Sequence, residues 1–399
     1  MCGFARMRLA QPRPSVSRMS HDTHSEPLHV LIAGGGVAAL ETLMALRALA
    51  GDRVRITLLA PGHDFHYRPM AVAEPFTIAQ ARHIALSAIA HDFDAQLVKG
   101  ELVGVEPAEH RAVTRDAERI DYDALVIACG TRMRPAFNGA ITIDDRTLGA
   151  TLRGLVQDVE EGYTREIAFV APSEPSWPLP LYELALLTAH RAYDMNAEVE
   201  ISIVSPEHTP LALFGSVVSA ELRSLLRHAR IPFHGSSTAE FAHGDLTLQP
   251  GAIHMRPDRV VALPLLGGRQ ITGVPSDADG FIPVTDYGEV RALEGVYAAG
   301  DATSYPIKHG GIATQQADVI AAGIAARAGA AIDPQPLRPV IRGALLTGFE
   351  TRYIEAEIVG EAAVRSTVSD TCPWDPPTKI AARHLGPYLA QGDRSAVAA

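Results

Sequence analysis

Short apolar runs alternate with segments of helical period along most of the chain. Leu28-His29-Val30-Leu31-Ile32-Ala33 reads as a buried strand, Leu40 to Ala50 as a helix, and Val54 to Leu59 as a second strand. That spacing belongs to a strand-helix-strand unit with parallel strands. Residues 63–76 are polar, aromatic and punctuated by prolines, which predicts an irregular loop. A short helix follows near Ala79 to Ala90, then a strand pair around Leu97 to Val105 and Arg111 to Thr114. The run Tyr122 to Thr131 is a further buried strand ending in small residues.

The rhythm restarts at Glu166. Strand Ile167 to Ala171, helix Pro180 to Tyr193, strand Val199 to Val204 and helix Ser216 to Ala229 precede hairpin-like segments up to Leu263. The chain then returns to Tyr297-Ala298-Ala299-Gly300-Asp301 and an Ala-rich helix from Gln315 to Ala328. Residues 338–364 alternate as strands do, and Thr378 to Leu389 predicts a short closing helix. The expected fold is α/β: two Rossmann-like, three-layer units with parallel sheets, the second inserted in the first, plus a small C-terminal α+β region. The expected boundaries are 28–160 and 264–335 for the first unit, 161–263 for the second, and 336–391 for the C-terminal interface region. A disordered leader over 1–27 and a tail over 392–399 flank them.

Composition narrows the classes. The chain has 399 residues, 47% of them hydrophobic, enough for two or three ordinary cores. A formal net charge of −11 argues against a nucleic-acid partner, which needs a basic excess. No apolar run is long enough to span a bilayer, and Arg327 interrupts the Ala-rich stretch Val319 to Ile332. Cys2, Cys129 and Cys372 are too scattered for a disulfide framework or a zinc site, so no metal is expected and a reducing cytoplasm is the natural home. Residues 1–27 lack the apolar core of a secretion signal, and Met19 is an alternative start.

The chemistry concentrates in two stretches far apart in sequence. In Gly34-Gly35-Gly36-Val37-Ala38-Ala39, Gly34 suits a tight turn, Gly36 leaves room for a pyrophosphate beside the backbone, and Ala39 lets the helix pack closely. Helix N-terminal amides would then face phosphate charge. The second strand runs into Ala60-Pro61-Gly62-His63-Asp64, where the usual acidic ribose anchor is missing or displaced to Asp64. The second stretch is Tyr297 to Asp301.

In that order the motifs resemble the flavoproteins with two dinucleotide-binding domains, the pyridine nucleotide-disulfide oxidoreductase superfamily, from about Leu28 to Leu389. The resemblance implies FAD, its pyrophosphate at Gly34, Gly36, Val37, Ala38 and Ala39. It further implies that Ala128 and Gly130 lie in a cofactor-side turn, with Cys129 where the family usually has threonine. Gly300 and Asp301 would meet the ribityl chain, and the backbone at Gly311 and Ile312 the flavin ring. Pro306 to Gly311 resembles the sulfide:quinone oxidoreductases, and Ala313-Thr314-Gln315-Gln316-Ala317 the type II NADH dehydrogenases. Both resemblances imply an FAD enzyme passing electrons from a small reduced donor to an acceptor such as a quinone.

The sequence departs from each branch. No cysteine lies between Cys2 and Cys129, which excludes a dithiol relay after the second strand, and persulfide chemistry would require Cys372 to pair with Cys129. Pro172 to Pro180 contains four prolines and no glycine, which makes a phosphate nest hard to build, so NAD(P)H binding is expected to be loose or absent. Glu183 occupies the place of the family's helix glutamate, and Glu207 that of a ribose anchor. Lys308, one of only three lysines, is a candidate for stabilising charge at the flavin, against a solvated side chain. Tyr67 and Arg68 either gate substrate or pack the loop, and Cys372 is a candidate thiol. His63, His66 and His309 fall in the same loops, and Trp177 and Trp374 read as packing or stacking residues. Ile380, Leu385, Tyr388 and Leu389 form an apolar stripe beside Lys379 and Arg383, expected to dock on the protein's own body or on a dimer partner, with a peripheral contact at the inner membrane face as the alternative. A non-catalytic flavin-binding sensor stays open as a reading.

Overall fold

The computed structural model describes residues 26–144, 148–173, 177–360 and 362–397, with side chains to 391. The expected leader, apart from its last two residues, and the expected tail's side chains lie outside that range. A five-stranded parallel sheet holds the first unit. Its order is Val296–Ala298, Ala124–Ile127, Leu28–Ala33, Val54–Ala60, Ala95–Lys99. The chain therefore leaves this sheet after Ile127 and returns to its edge at Val296.

Helices Val37–Ala50 and Gly310–Arg327 cover one face of the sheet. The opposite face carries a three-stranded meander, Leu102–Glu106, Arg111–Thr114 and Arg119–Asp121, through Leu102, Val105 and Ala112. Period-two burial supplies both layers: Val30 and Ile32 face the helices, while Leu31 and Ala33 face the meander.

The second sheet repeats this plan. Its order is Ile141–Thr142, Arg259–Ala262, Glu166–Val170, Glu200–Val204, Phe233–His234, all parallel. Helices Leu148–Glu160, Leu179–Asp194 and Ser216–His228 pack one face, and the meander Thr238–Ala242, Asp245–Gln249, Ile253–Met255 packs the other. An antiparallel sheet, Val340–Leu346, Thr351–Val359 and Ala362–Ser369, joins the same core through Ile341, Leu345 and Ile354.

Several expectations are corrected. The strand Ile141–Thr142 pairs with Arg259–Ala262, and the helix Leu148–Glu160, neither of them expected, buries Leu148, Leu152 and Leu155 in the core of the second sheet. The expected helix over 79–90 is instead a strand, Arg82–Ala85, and a helix, Leu86–Asp92. Pairing of Phe65 with Ile84 across Asp64–Tyr67 outweighs the helical propensity of the alanines there. The expected loop over 63–76 thus contains a strand and a 3-10 helix, Arg68–Phe76.

The closing helix is Leu385–Val397, not 378–389. Gly386 and Pro387 lie in its first turn, where proline lacks no needed donor. Ile380, Leu385 and Leu389 are buried against the first unit, and no described helix is long and apolar enough to cross a membrane.

Candidate functional site

Both distant stretches end on the same sheet edge. Ala33 stands beside Ile127 and Leu59, and Ala298 beside Ile127 on its other side. The Gly34 amide donates to Leu59 O at 2.8 Å and the Ala128 amide to Ala33 O at 2.8 Å, so the chain crosses itself with no side chain between. A Cβ on Gly34 would lie 2.2 Å from Ala128 O, and the φ of 145° suits glycine alone.

The second stretch arrives just as closely. A Cβ on Gly300 would sit 3.2 Å from the Cβ atoms of both Ala38 and Ala313, the small residues that open the two cleft-facing helices. The Gly300 amide donates to Gln316 Oε1 at 2.7 Å, and the Ala299 amide to Ile127 O at 3.0 Å. Helix Val37–Ala50 starts after Gly36, whose Cβ direction is open for 4 Å, and helix Gly310–Arg327 starts after His309. First-turn amides have no partner within a helix, so two helix N-termini offer donors and partial positive charge to one space.

That space is a cleft of about 940 Å³ between the units, the upper end of what small-molecule sites occupy. Gly34, Gly36, Val37, Ala38, Ala128, Gly130, Gly300, Asp301 and Lys308 line it. Ala39 and Ile312 stand behind this wall with their side chains in the core, and Gly311 is buried with its Cβ direction against the His309 ring. Asp64 and His66 also reach the cleft, as do Cys129 and Arg68. Tyr67 and Cys372 do not. Tyr67 is buried and its hydroxyl accepts the Ile380 amide at 3.1 Å, while the Cys372 thiol donates to Trp374 O at 3.2 Å.

Charge inside the cleft comes from Asp301 and Lys308, which influence each other without a direct contact, and from one buried ion pair. Asp301 makes no carboxyl hydrogen bond among the described residues; burial holds its pKa above the ordinary value, with Lys308 and Arg68 pulling it down. Lys308 is only 9% exposed, donates to Thr303 O and lies 3.8 Å over the Phe281 ring. Burial lowers its pKa to about 8, against the opposing pull of Asp301. The ion pair is Glu183 with Lys379, 2.8 Å apart and at 1% and 7% side-chain exposure. Burial raises Glu183 despite Lys379 and the Leu346 amide that donates to it at 3.0 Å.

The sequence set Lys379 only beside the apolar stripe of the closing segment; two of the chain's three lysines line one cleft. Lysine scarcity in an arginine-rich chain was the available signal. Arg134, Arg269, Phe281 and Leu263 to Leu266 were also missed, because nothing local marks them.

The thiols and the second unit are chemically quiet. Burial pushes the Cys129 thiol up to about 11, and it donates to Ala33 O at 3.4 Å. Glu207 is enclosed: Tyr182 and Ser205 donate to Oε2 at 2.6 and 3.1 Å, and the Ala212 amide to Oε1 at 3.0 Å. No acceptor position faces outward for a ribose. Helix Leu179–Asp194 begins at Pro178 with Pro180 in its first turn, and Trp177 stacks on His309 at 3.9 Å between ring centres. His309 is buried, and burial lowers its pKa to about 3, so the stack is neutral.

The donor set fits a flavin dinucleotide. Gly36 leaves open space at the start of a helix, which a Cβ would enter, first-turn amides face it, and a desolvated carboxylate in the same wall has no protein donor among the described residues.

Residues 28–161 match the family described as pyridine nucleotide-disulphide oxidoreductase. A curated relative, the sulfide-quinone reductase of Aquifex aeolicus, is 27% identical over 107 residues, covering 26% of this chain. The chain spans about a quarter of the length of that relative. Among solved structures, the sulfide:quinone oxidoreductase of Aquifex aeolicus superposes with a TM-score of 0.78 at 18% identity, covering 86% of each chain. A ferredoxin reductase from Rhodopseudomonas palustris gives 0.64 at 18% identity over 83% of each chain. A NAD-dependent persulfide reductase from A. fulgidus gives 0.62 at 16% identity, over 84% of this chain and 64% of that one.

Proposed function

We propose that the chain, whose residues 28–161 match the pyridine nucleotide-disulphide oxidoreductase family, is an FAD-dependent oxidoreductase. In this reading electrons pass from a small reduced donor to an acceptor such as a quinone. The convergence of Gly34, Ala38 and Gly300 on one cleft carries the reading. FAD bound there would supply two-electron redox chemistry at its ring. The protein's part is binding, orientation and charge. The amides of Val37 and Ala38 take phosphate, and the Asp301 carboxylate accepts from a sugar-alcohol hydroxyl. Lys308 and the helix opening at Gly310 set positive potential at the far end of the cleft. Glu183 and Lys379 also line the cleft as an ion pair, where one can take and the other give a proton to a substrate.

NAD(P)H is the weaker donor candidate, because Pro178 and Pro180 remove amides from the second unit's helix and Glu207 is occupied. Sulfide is the alternative donor, favoured by the likeness to the Aquifex enzyme. Against it, Cys129 lines the cleft as a half-buried thiol kept neutral by desolvation, and Cys372 does not line it.

Two measurements test the reading. The purified protein should be yellow, and anaerobic stopped-flow mixing with NADH, NADPH and sulfide identifies the donor by bleaching; a colourless protein that takes up no added FAD refutes the proposal. Asp301→Ala should weaken FAD binding by about 10- to 100-fold, the loss of a charge-assisted hydrogen bond. Flavin content equal to wild type after dialysis would remove Asp301 from the site.

A further inference from the structure

We propose that Asp318, Glu41 and His384 form a proton-operated latch that holds the C-terminal segment, and through it Lys379, against the cleft. Glu41 is fully buried on helix Val37–Ala50 and accepts the amides of His384 at 2.8 Å and Leu385 at 2.6 Å. It therefore caps helix Leu385–Val397 from another element. Asp318, on helix Gly310–Arg327, has its Oδ1 buried with no hydrogen-bond partner. One side-chain atom from each of the three residues lies within 4.8 Å of the others.

Two carboxylates this close, away from water, resist ionising together. Burial first and Glu41 second raise Asp318 to about 7, and Arg383 opposes them. His384, with Nε2 at 3.8 Å from Asp318, is held below its ordinary pKa by burial, against the pull of Glu41. Arg383 beside it also lowers His384, and Arg47 in the same small cavity is engaged with Gly51 O, Phe93 O and Asp94. At neutral pH the proton that matters is thus the one on Asp318.

The folded-state pKa of Asp318 is raised, so its contribution to latching is complete below the ordinary carboxylate value and is lost as pH rises through about 7. The segment so held carries Lys379 and Ile380 into the cleft, and both helices of the latch open on that cleft. Asp318 touches no ligand; it is a positioning residue, and the latch stands whatever the cleft binds.

Hydrogen exchange of the full-length protein between pH 5 and 9, corrected for intrinsic rates, tests the latch on peptides covering residues 380–391. In wild type the local opening constant should rise by up to about tenfold per pH unit below 7 and level off above it. Asp318→Asn, which keeps the shape and cannot ionise, should show low-pH protection throughout. Glu41→Gln keeps one of the two capping oxygens and removes the charge beside Asp318, so it should raise opening at every pH and move the inflection to lower pH. Wild-type opening that ignores pH refutes the latch without any variant. So does an Asp318→Asn profile with the wild-type slope, or an unmoved inflection in Glu41→Gln.

Discussion

Gly34→Ala is expected to destabilise the protein by roughly 3–6 kcal/mol, whereas Gly36→Ala is expected to leave the fold intact and lower flavin affinity. The added Cβ at Gly34 meets Ala128 O at 2.2 Å and Ala128 C at 2.7 Å, which are backbone atoms of a neighbouring central strand. Moving them breaks the Ala128 amide bond to Ala33 O, and the φ of 145° penalises any L side chain besides. Gly36 has ordinary negative φ and nothing within 4 Å of its Cβ direction, so the methyl projects into space reserved for a ligand. Urea unfolding and flavin content separate the two outcomes. A Gly34→Ala protein with wild-type stability would mean that the two strand ends do not cross as closely as described.

Lys379→Ala is expected to cost about 3–5 kcal/mol, because it leaves the Glu183 carboxylate buried without its cation. Burial already raises Glu183 with Lys379 in place, and removing the lysine raises it further. The sign of the pH dependence follows. A raised folded-state pKa means that the contribution is intact below the ordinary glutamate value and lost as pH climbs through the folded one, so the variant's deficit should shrink toward pH 5. Glu183→Gln combined with Lys379→Met should recover most of the stability, since no unpaired charge remains. Urea titrations at pH 5 and 8 check both points; equal deficits at the two pH values would contradict the buried pairing.

Much of the first unit was legible because its signals are local. The run Leu28 to Ala33, the glycines and the helical period after them sit within about twenty residues, and each implies the next. The stretch from Tyr297 to Asp301 was singled out as the second motif, and the structure shows it to be strand Val296–Ala298 followed by a 3-10 turn. Arg82–Ala85 was misread because its strand conformation comes from Phe65, which no local pattern announces. Strand Ile141–Thr142 went unseen for a similar reason: it is too short to stand out, and becomes a strand only beside Val261 and Ala262. In the cleft, Asp301 and Lys308 were accessible from motif position. The partnership of Lys379 with Glu183 joins residues 196 apart in sequence.

By itself the amino-acid order determined the α/β class, the two glycine-marked turns, the poverty of thiols and the proline-blocked entry to the second unit's helix. These follow from backbone dihedral limits and side-chain period, which act between near neighbours. Tertiary structure alone decided that Tyr67 and Cys372 stay out of the cleft, that Glu207 is sealed by Tyr182, and that the closing helix is capped by Glu41. Those outcomes depend on desolvation and on the meeting of distant groups, and both arise only once the sheets have stacked.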